Sequence, residues 1–479
     1  MYKKLITIFF ILFVIFTNAG CNSKENLSSY DINVILNENE LLCEMQLNYV
    51  NNNKKSVSEL YFCLYPNAYS KDAEIKPIRI EQTINGYPNG ESYGGINIKN
   101  VKNNDKNATY SISTKDQNIL KVQLDNPVKY NESCKIDIDF DVIIPNCLHR
   151  LGYGDNTLNL SNFHPILCEE YNGEVYKSVY YPTGDPFYSS VANYNVSLTV
   201  PSTYVVASSL SPTGTECMGE KTRYIFSREK VRDISFVLSK KFNILKEKVG
   251  ETDLFYYYFS DKNPEKSFDV IKDSFSFYNK IFIKYPYSEY VVCEADFIYG
   301  GMEYPCLTIV NARLLGEEKE YAIAHETAHQ WWYGIVGVNQ SEEGFIDEGL
   351  TEFSTLLFME KYTGKKRSEQ IEQVKEKYRE IRKYTVHLNN GKSAKMLRNL
   401  GSFTSDSEYV SIAYYRSQIM FDELFNFLGQ KQAFKFFKGL LTNYKYKNLT
   451  YNELRNFAKK IKSGAEKVLD GYVLGEKAI

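Results

Sequence analysis

Histidine is scarce in this chain, at 5 of 479 residues, and tryptophan is scarcer, at 2. Charge of either sign is nearly absent in excess: the formal net charge is −2. Without a long-range field to draw nucleic acid or an anionic surface, no nucleic-acid partner is expected. No C-x-x-C pair occurs among the 9 cysteines, so no disulfide pairing can be read from spacing, and buried free thiols are the plain expectation for most of them. No internal repeat and no low-complexity domain is present. What remains is ordinary folded composition, 43% hydrophobic and 15% aromatic, in a chain long enough for two or three domains.

Long apolar runs are missing too, with one exception. Lys3 and Lys4 precede LITIFFILFVIF, which is too short for a settled membrane-spanning helix and suits a secretory signal over residues 1–20. The run ends at Asn18-Ala19-Gly20-Cys21, which resembles a bacterial lipobox, with Asn18 in place of the usual Leu. The expectation is an exported protein held on the outer face of a bacterial cell membrane by a lipid on Cys21, residues 21–29 serving as a polar tether.

From about residue 30 to residue 245 the pattern has period two. CKIDIDFDVIIP sets Ile136, Ile138, Phe140 and Val142 on one face, and NYNVSLTVP does the same with Tyr194, Val196, Leu198 and Val200, with SPTGT read as a following turn. The period then lengthens: NPEKSFDVIKDSFSFYNKIF, SEQIEQVKEKYREIRKY and QKQAFKFFKGLL read as amphipathic helices. The fold class is therefore multidomain α and β, an antiparallel sheet domain over 30–245 followed by a mostly helical domain over 246–479.

Two of the five histidines sit four positions apart in HETAHQWWYG, His325 to Gly334. In a helix read over Glu318 to Val336 they share a face and converge on one point. Neutral imidazole suits Zn²⁺, and Glu326, one step round the helix, can stand beside the metal without ligating it. A second helical run, FIDEGLTEFSTLLFMEKY, offers Glu348 as third ligand. Asp347 and Glu352 flank it as supporting or solvated groups. His149 and His164 in the strand-rich half, and His387 in a polar loop, read as packing or surface residues. An isolated H-E-x-x-H also occurs on surface helices with no metal.

The pattern H-E-x-x-H, eighteen intervening residues, then Glu, set in HETAHQWWYG and FIDEGLTEF, resembles the aminopeptidase N-like family of zinc gluzincin metallopeptidases. Its second motif, Gly-x-Met-Glu-Asn, has a counterpart in Gly300-Gly301-Met302-Glu303-Tyr304, with Tyr304 where Asn is usual. The resemblance implies a thermolysin-like zincin catalytic domain, one zinc ion per chain on His325, His329 and Glu348, and Glu326 as general base. It also implies a tyrosine donor to the oxyanion. Tyr414, in YYRSQIMFDELFNFLG, is the nearest match, with Tyr409 and Tyr415 as fallbacks.

A carboxylate at a fixed distance from the metal can bind a free α-ammonium, which makes Glu303 the selector of N-terminal peptide bonds. Gly300, Gly301 and Met302 would line the substrate's path. Larger relatives continue into a helical domain that covers the active site. This chain runs about 65 residues past Tyr414, so a more open cleft is expected. The expected activity is zinc-dependent removal of N-terminal residues from peptides. The alternatives are an endopeptidase using the open cleft, or a surface binding protein that keeps zinc for its fold; an intact Glu326 counts against the latter, since a structural site has no use for a base.

Overall fold

The computed structural model describes residues 26–113, 116–388 and 394–479; Cys21 and the apolar run before it lie outside them. Among the described residues no helix is long and apolar enough to cross a membrane.

Alternation of apolar and polar residues builds the first half. In the strand Ser133–Ile143, Ile136, Ile138, Phe140 and Val142 are buried while the intervening Lys135, Asp137, Asp139 and Asp141 face outward, the signature of a sheet with one solvated face. This strand lies inside an eight-stranded sheet whose members pair antiparallel, except that Ser29–Asn37 runs parallel to Ala192–Pro201. Tyr194, Val196, Leu198 and Val200 of the latter strand are also buried. SPTGT does not turn: it opens the edge strand Ser211–Met218, bulged between Pro212 and Gly214. An edge tolerates proline because one side of the strand needs no donor.

A five-stranded sheet opens the second half. Its order by range is Asn243–Val249, Thr252–Tyr258, Glu289–Ala295, Leu307–Asn311 and Gly301–Met302. Residue 245, expected as a boundary, thus falls inside the first strand of this sheet. The longer helices are α1 (Pro264–Ile281), inserted between strands Thr252–Tyr258 and Glu289–Ala295, and then α2 (Gly316–Ala328), α3 (Phe345–Thr363), α4 (Arg367–Leu388) and α5 (Ser417–Leu428), with three more to the C-terminus. His387, expected in a loop, falls in the last turn of α4. The second half is therefore sheet and helix in layers, with helix dominating after Gly316.

The helix expected over Glu318 to Val336 stops at Ala328. Beyond it Tyr333 takes φ 134° and the Gly334 amide returns to the His329 carbonyl, so the chain folds back and buries Trp331 and Trp332. Past the break both indoles find acceptors, Trp331 Nε1 donating to the Ile283 carbonyl at 2.8 Å and Trp332 Nε1 to Ser354 Oγ at 2.9 Å.

α2 is held on the sheet by a buried charge. Lys319, 4% exposed, donates to Glu294 of strand Glu289–Ala295 at 2.6 Å and to Asp261 at 2.8 Å. The halves are joined by Arg232 of the first, whose Nη1 donates to Asn448 Oδ1 at 2.7 Å, its guanidinium filling the space a side chain on Gly337 would need. Removing one partner of a buried pair leaves an uncompensated charge. Lys319→Met is therefore expected to lower unfolding stability by about 3–5 kcal/mol in a denaturant titration; a midpoint equal to wild type would show that this pair does not anchor the helix.

Candidate active site

α2 delivers His325 and Glu326 to a buried point. His329, just past the last helical residue, keeps helical angles (φ −60°, ψ −19°), so the four-residue spacing survives the break. Its Nε2 lies 3.1 Å from His325 Nε2. From the first turn of α3, Glu348 brings Oε2 to 3.5 Å from His325 Nε2 and 3.4 Å from His329 Nε2. Ligand atoms on a tetrahedral zinc at about 2.0–2.2 Å stand roughly 3.3–3.5 Å apart, so the three atoms already form one face of such a site. Glu348 Oε2 is buried with no hydrogen-bond partner. An orphaned oxygen beside two facing imidazole nitrogens fits a cation.

The other ring nitrogens are fixed from behind. His329 Nδ1 donates to the Trp332 carbonyl at 2.9 Å, which leaves Nε2 as the lone pair. His325 Nδ1 stands 3.2 Å from Glu352, which in turn accepts from the Tyr321 hydroxyl. Glu352 thus orients a ligand. Burial pulls the His329 pKa down, but the charges of Glu303 and Glu348 outweigh it and lift it to about 10; for Glu348 the upward push of burial is outweighed by the two imidazoles beside it, which hold it at about 2. The cluster is poised for positive charge at its centre. A second set of ligand atoms, from Glu303, Glu326 and His329, lies within 4.8 Å of one another; it shares His329 with the first, so the two describe one centre.

Glu326 is buried, and its Oε2 has no hydrogen-bond partner. Burial pushes its pKa up to about 7 against the pull of the two histidines. Gly301 matters here: a Cβ on it would sit 2.7 Å from the Glu326 carboxyl carbon, whereas Gly300 faces open space. The Glu326 carboxyl, rather than a substrate backbone, takes the room left by Gly301 in this structure. Met302 is buried, its sulfur accepting from Arg150 Nε at 3.2 Å. Glu303 is 4% exposed and accepts from Gln340 at 2.9 Å. Burial, and then the nearby Asp185, drive its pKa well above the carboxylate range. Tyr304 turns away from the cleft, its hydroxyl reaching Asn162 at 3.2 Å in the first half of the chain.

Tyr414 rides on a π-helical turn, Val410–Arg416, a conformation that recurs at functional sites. Its ring stacks on His325 and its hydroxyl donates to Glu348 Oε1 at 2.6 Å. Burial and the Glu348 charge raise its pKa well above the usual phenol value, keeping it a donor. Tyr409 also lines the cleft, packed where side chains on Gly184 and Gly344 would clash, and Gly184 holds a left-handed φ of 63°. Tyr415 is half-buried and does not line it.

These groups share a cavity of about 330 Å³. Sequence reasoning missed Arg150 of its wall, which pairs with Asp185 and packs over Tyr299, and Gln340 behind it, which donates to Glu303 and has no motif to mark it. Asp185 lies in YYPTGDPFYS, a segment whose pattern alone does not single it out. His149 and His164 are buried away from the three-ligand point, His149 against Tyr69 and His164 among Tyr30, Phe163 and Tyr194.

Comparison with known proteins agrees with this geometry. Residues 266–472 match the peptidase family M1 domain. The chain is 25% identical to leucine aminopeptidase 2 of Emericella nidulans over 350 residues, 69% of this chain and 54% of that one. It is 26% identical to aminopeptidase B of Rattus norvegicus over 204 residues, 39% of this chain and 30% of that one. It spans about half the length of the leucine aminopeptidases it matches over most of its own length. Among solved structures, an M1 zinc metallopeptidase of Deinococcus radiodurans aligns with a TM-score of 0.67 at 14% identity, covering 95% of this chain and 94% of that one. A mutant of that enzyme bound to a Tyr-Ser-Ala substrate aligns with a TM-score of 0.66 at 14% identity, covering 95% of each chain. At such identity the likeness is one of fold.

Proposed function

We propose that this chain, whose residues 266–472 match the peptidase family M1 domain, is a zinc-dependent aminopeptidase removing N-terminal residues from peptides with a free amine. The observation that carries this reading is the place of Glu303. A ligand atom of its buried carboxyl lies within 4.8 Å of His329 and Glu326, about one residue's reach from the metal point. An ammonium held there sets the first peptide bond of a substrate beside the three ligands and leaves no room for a longer chain on that side.

His325, His329 and Glu348 would hold one zinc ion. When bound, zinc supplies Lewis acidity to the scissile carbonyl and acidifies the attacking water. Glu326, buried beside the three ligands, takes the proton from that water and passes it to the departing amine. The Tyr414 hydroxyl, within reach of the ligand Glu348, donates to the oxyanion as it forms. His325, Glu326, His329 and Glu348 are all buried, which strengthens each of these interactions.

Purified protein is expected to contain one zinc per chain. Glu326→Gln should retain that zinc and lose nearly all hydrolysis of aminoacyl fluorogenic substrates, and Tyr414→Phe should retain it with kcat lowered about 10²-fold. Full activity in Glu326→Gln sinks the mechanism; a loss that follows Tyr409→Phe instead reassigns the donor.

Acetylating a good peptide substrate should abolish cleavage, because a neutral amide leaves the buried Glu303 carboxylate without its counter-charge. Mass spectrometry of the digest should show residues removed singly from the N-terminus. Internal cleavage of acetylated peptides at the rate of free ones would hand the reading to an endopeptidase.

The site of action proposed is the outer face of a bacterial cell membrane, with Cys21 lipidated; the apolar run and the Asn18 to Cys21 segment support it. Wild-type protein should fractionate with membranes and Cys21→Ala should not do so as a mature, lipidated chain. Recovery of wild type wholly in the medium overturns the anchor.

A further inference from the structure

Gln340 opens the single helical turn Gln340–Glu343 that leads into α3, and it is 2% exposed. Its Nε2 donates to Glu303 Oε1 at 2.9 Å and to Asp347 Oδ2 at 2.9 Å. The orientation of the amide follows from charge: turned over, its carbonyl oxygen would face two carboxyl groups, whereas its two N–H bonds satisfy one each. Asp347 then uses Oδ1 to accept the backbone N–H of Glu348 at 3.0 Å. One amide therefore stands between the group read as the amine anchor and the helix turn that carries the third ligand. No other side chain hydrogen-bonds Glu303 among the described residues, and Gly301 and Met302, which precede it, pair as strand with Ile309 and Val310 without reaching the Glu303 carboxyl.

We infer that Gln340 is a positioning residue that fixes the Glu303 carboxyl at one distance from the metal ligands and so sets the preference for a free N-terminus. The inference rests on Glu303 being the amine anchor. Two carboxyls brought together in a buried site repel, and each would turn toward whatever donor or solvent it can find. The Gln340 fork removes that freedom: it neutralises no charge, yet it occupies one oxygen of Glu303, leaving the other for an ammonium. A rotamer change at Glu303 moves its oxygens by ångströms, and misplacement on that scale is enough to lose a large part of an orientation-dependent rate.

The test is a double-mutant cycle in the full chain, with zinc content measured throughout. Gln340→Met keeps the volume and removes both donors; Gln340→Glu keeps the shape and supplies a second set should the first fail to fold. Either is expected to raise KM for free-amine aminoacyl substrates about tenfold or more with kcat less affected and zinc retained. In a Glu303→Ala background the same substitution should change nothing further, a result that a merely structural role for Gln340 would not produce. Equal losses in both backgrounds, loss of zinc, or an unchanged KM overturns the positioning role. If Glu303→Ala itself leaves the free-amine preference intact, the anchor reading fails first; if it removes the preference and the Gln340 variants do not, only the present inference fails.

Discussion

Two imidazole nitrogens held 3.1 Å apart out of solvent, with a glutamate oxygen within 3.5 Å of each, form an arrangement that makes sense only around positive charge. Burial penalises every ion in it, and in a real protein that penalty is several kcal/mol per group. Glu303, Glu326, Asp347 and Glu348 are all below a tenth exposed, so the pocket concentrates carboxyls in a place where they cost the most. A cation at the three-ligand point offsets that cost, and an ammonium beside Glu303 offsets what remains. The same feature that makes the site expensive to fold is the one proposed to bind a metal and a substrate amine.

Such a cluster persists only if the elements bearing it are held rigidly. Lys319 ties α2 to Glu294 and Asp261; the Tyr278 hydroxyl donates to the Ala324 carbonyl one residue before His325; and Tyr290 contacts Thr327 one residue after Glu326. These contacts hold α2 in place up to Ala328, one residue before the chain departs from the helix and buries Trp331 and Trp332.

The sheet-rich half is part of the site rather than a separate attachment. Gln82, Arg150, Pro182, Gly184 and Asp185 all line the cleft, and Arg79 bridges to Asp406 on the turn that precedes Tyr414. Tyr304 makes the traffic run in the other direction: its hydroxyl leaves the catalytic half to meet Asn162. A tyrosine in place of the usual asparagine thus changes the contact between halves, while the cleft beside Glu303 is walled by other residues.

His325, Glu326 and His329 were legible in the chain because helical spacing converts sequence distance directly into shared direction, whereas Glu348, on a second helix, was reached through the longer motif; the strand faces of Ile136 to Val142 and Tyr194 to Val200 were legible because a period of two does the same. Both are local rules, and local rules survive folding. SPTGT misled because its strand exists only by pairing with Lys221–Val231, and the end of α2 misled because burial of two tryptophans overrode helix propensity. Gln340, Arg150 and Asp185 carried no signal at all: each acquires its role from a partner many positions away, Gln340 from Glu303, Arg150 from Asp185 and Met302. The sequence by itself determined that His325, Glu326 and His329 share one region of space, since that depends on residue type and spacing within one helix. Which amide meets the Glu303 carboxyl, and which residues wall the cleft, was decided only when distant segments packed, because hydrogen bonds and desolvation act through space and leave no period in the chain.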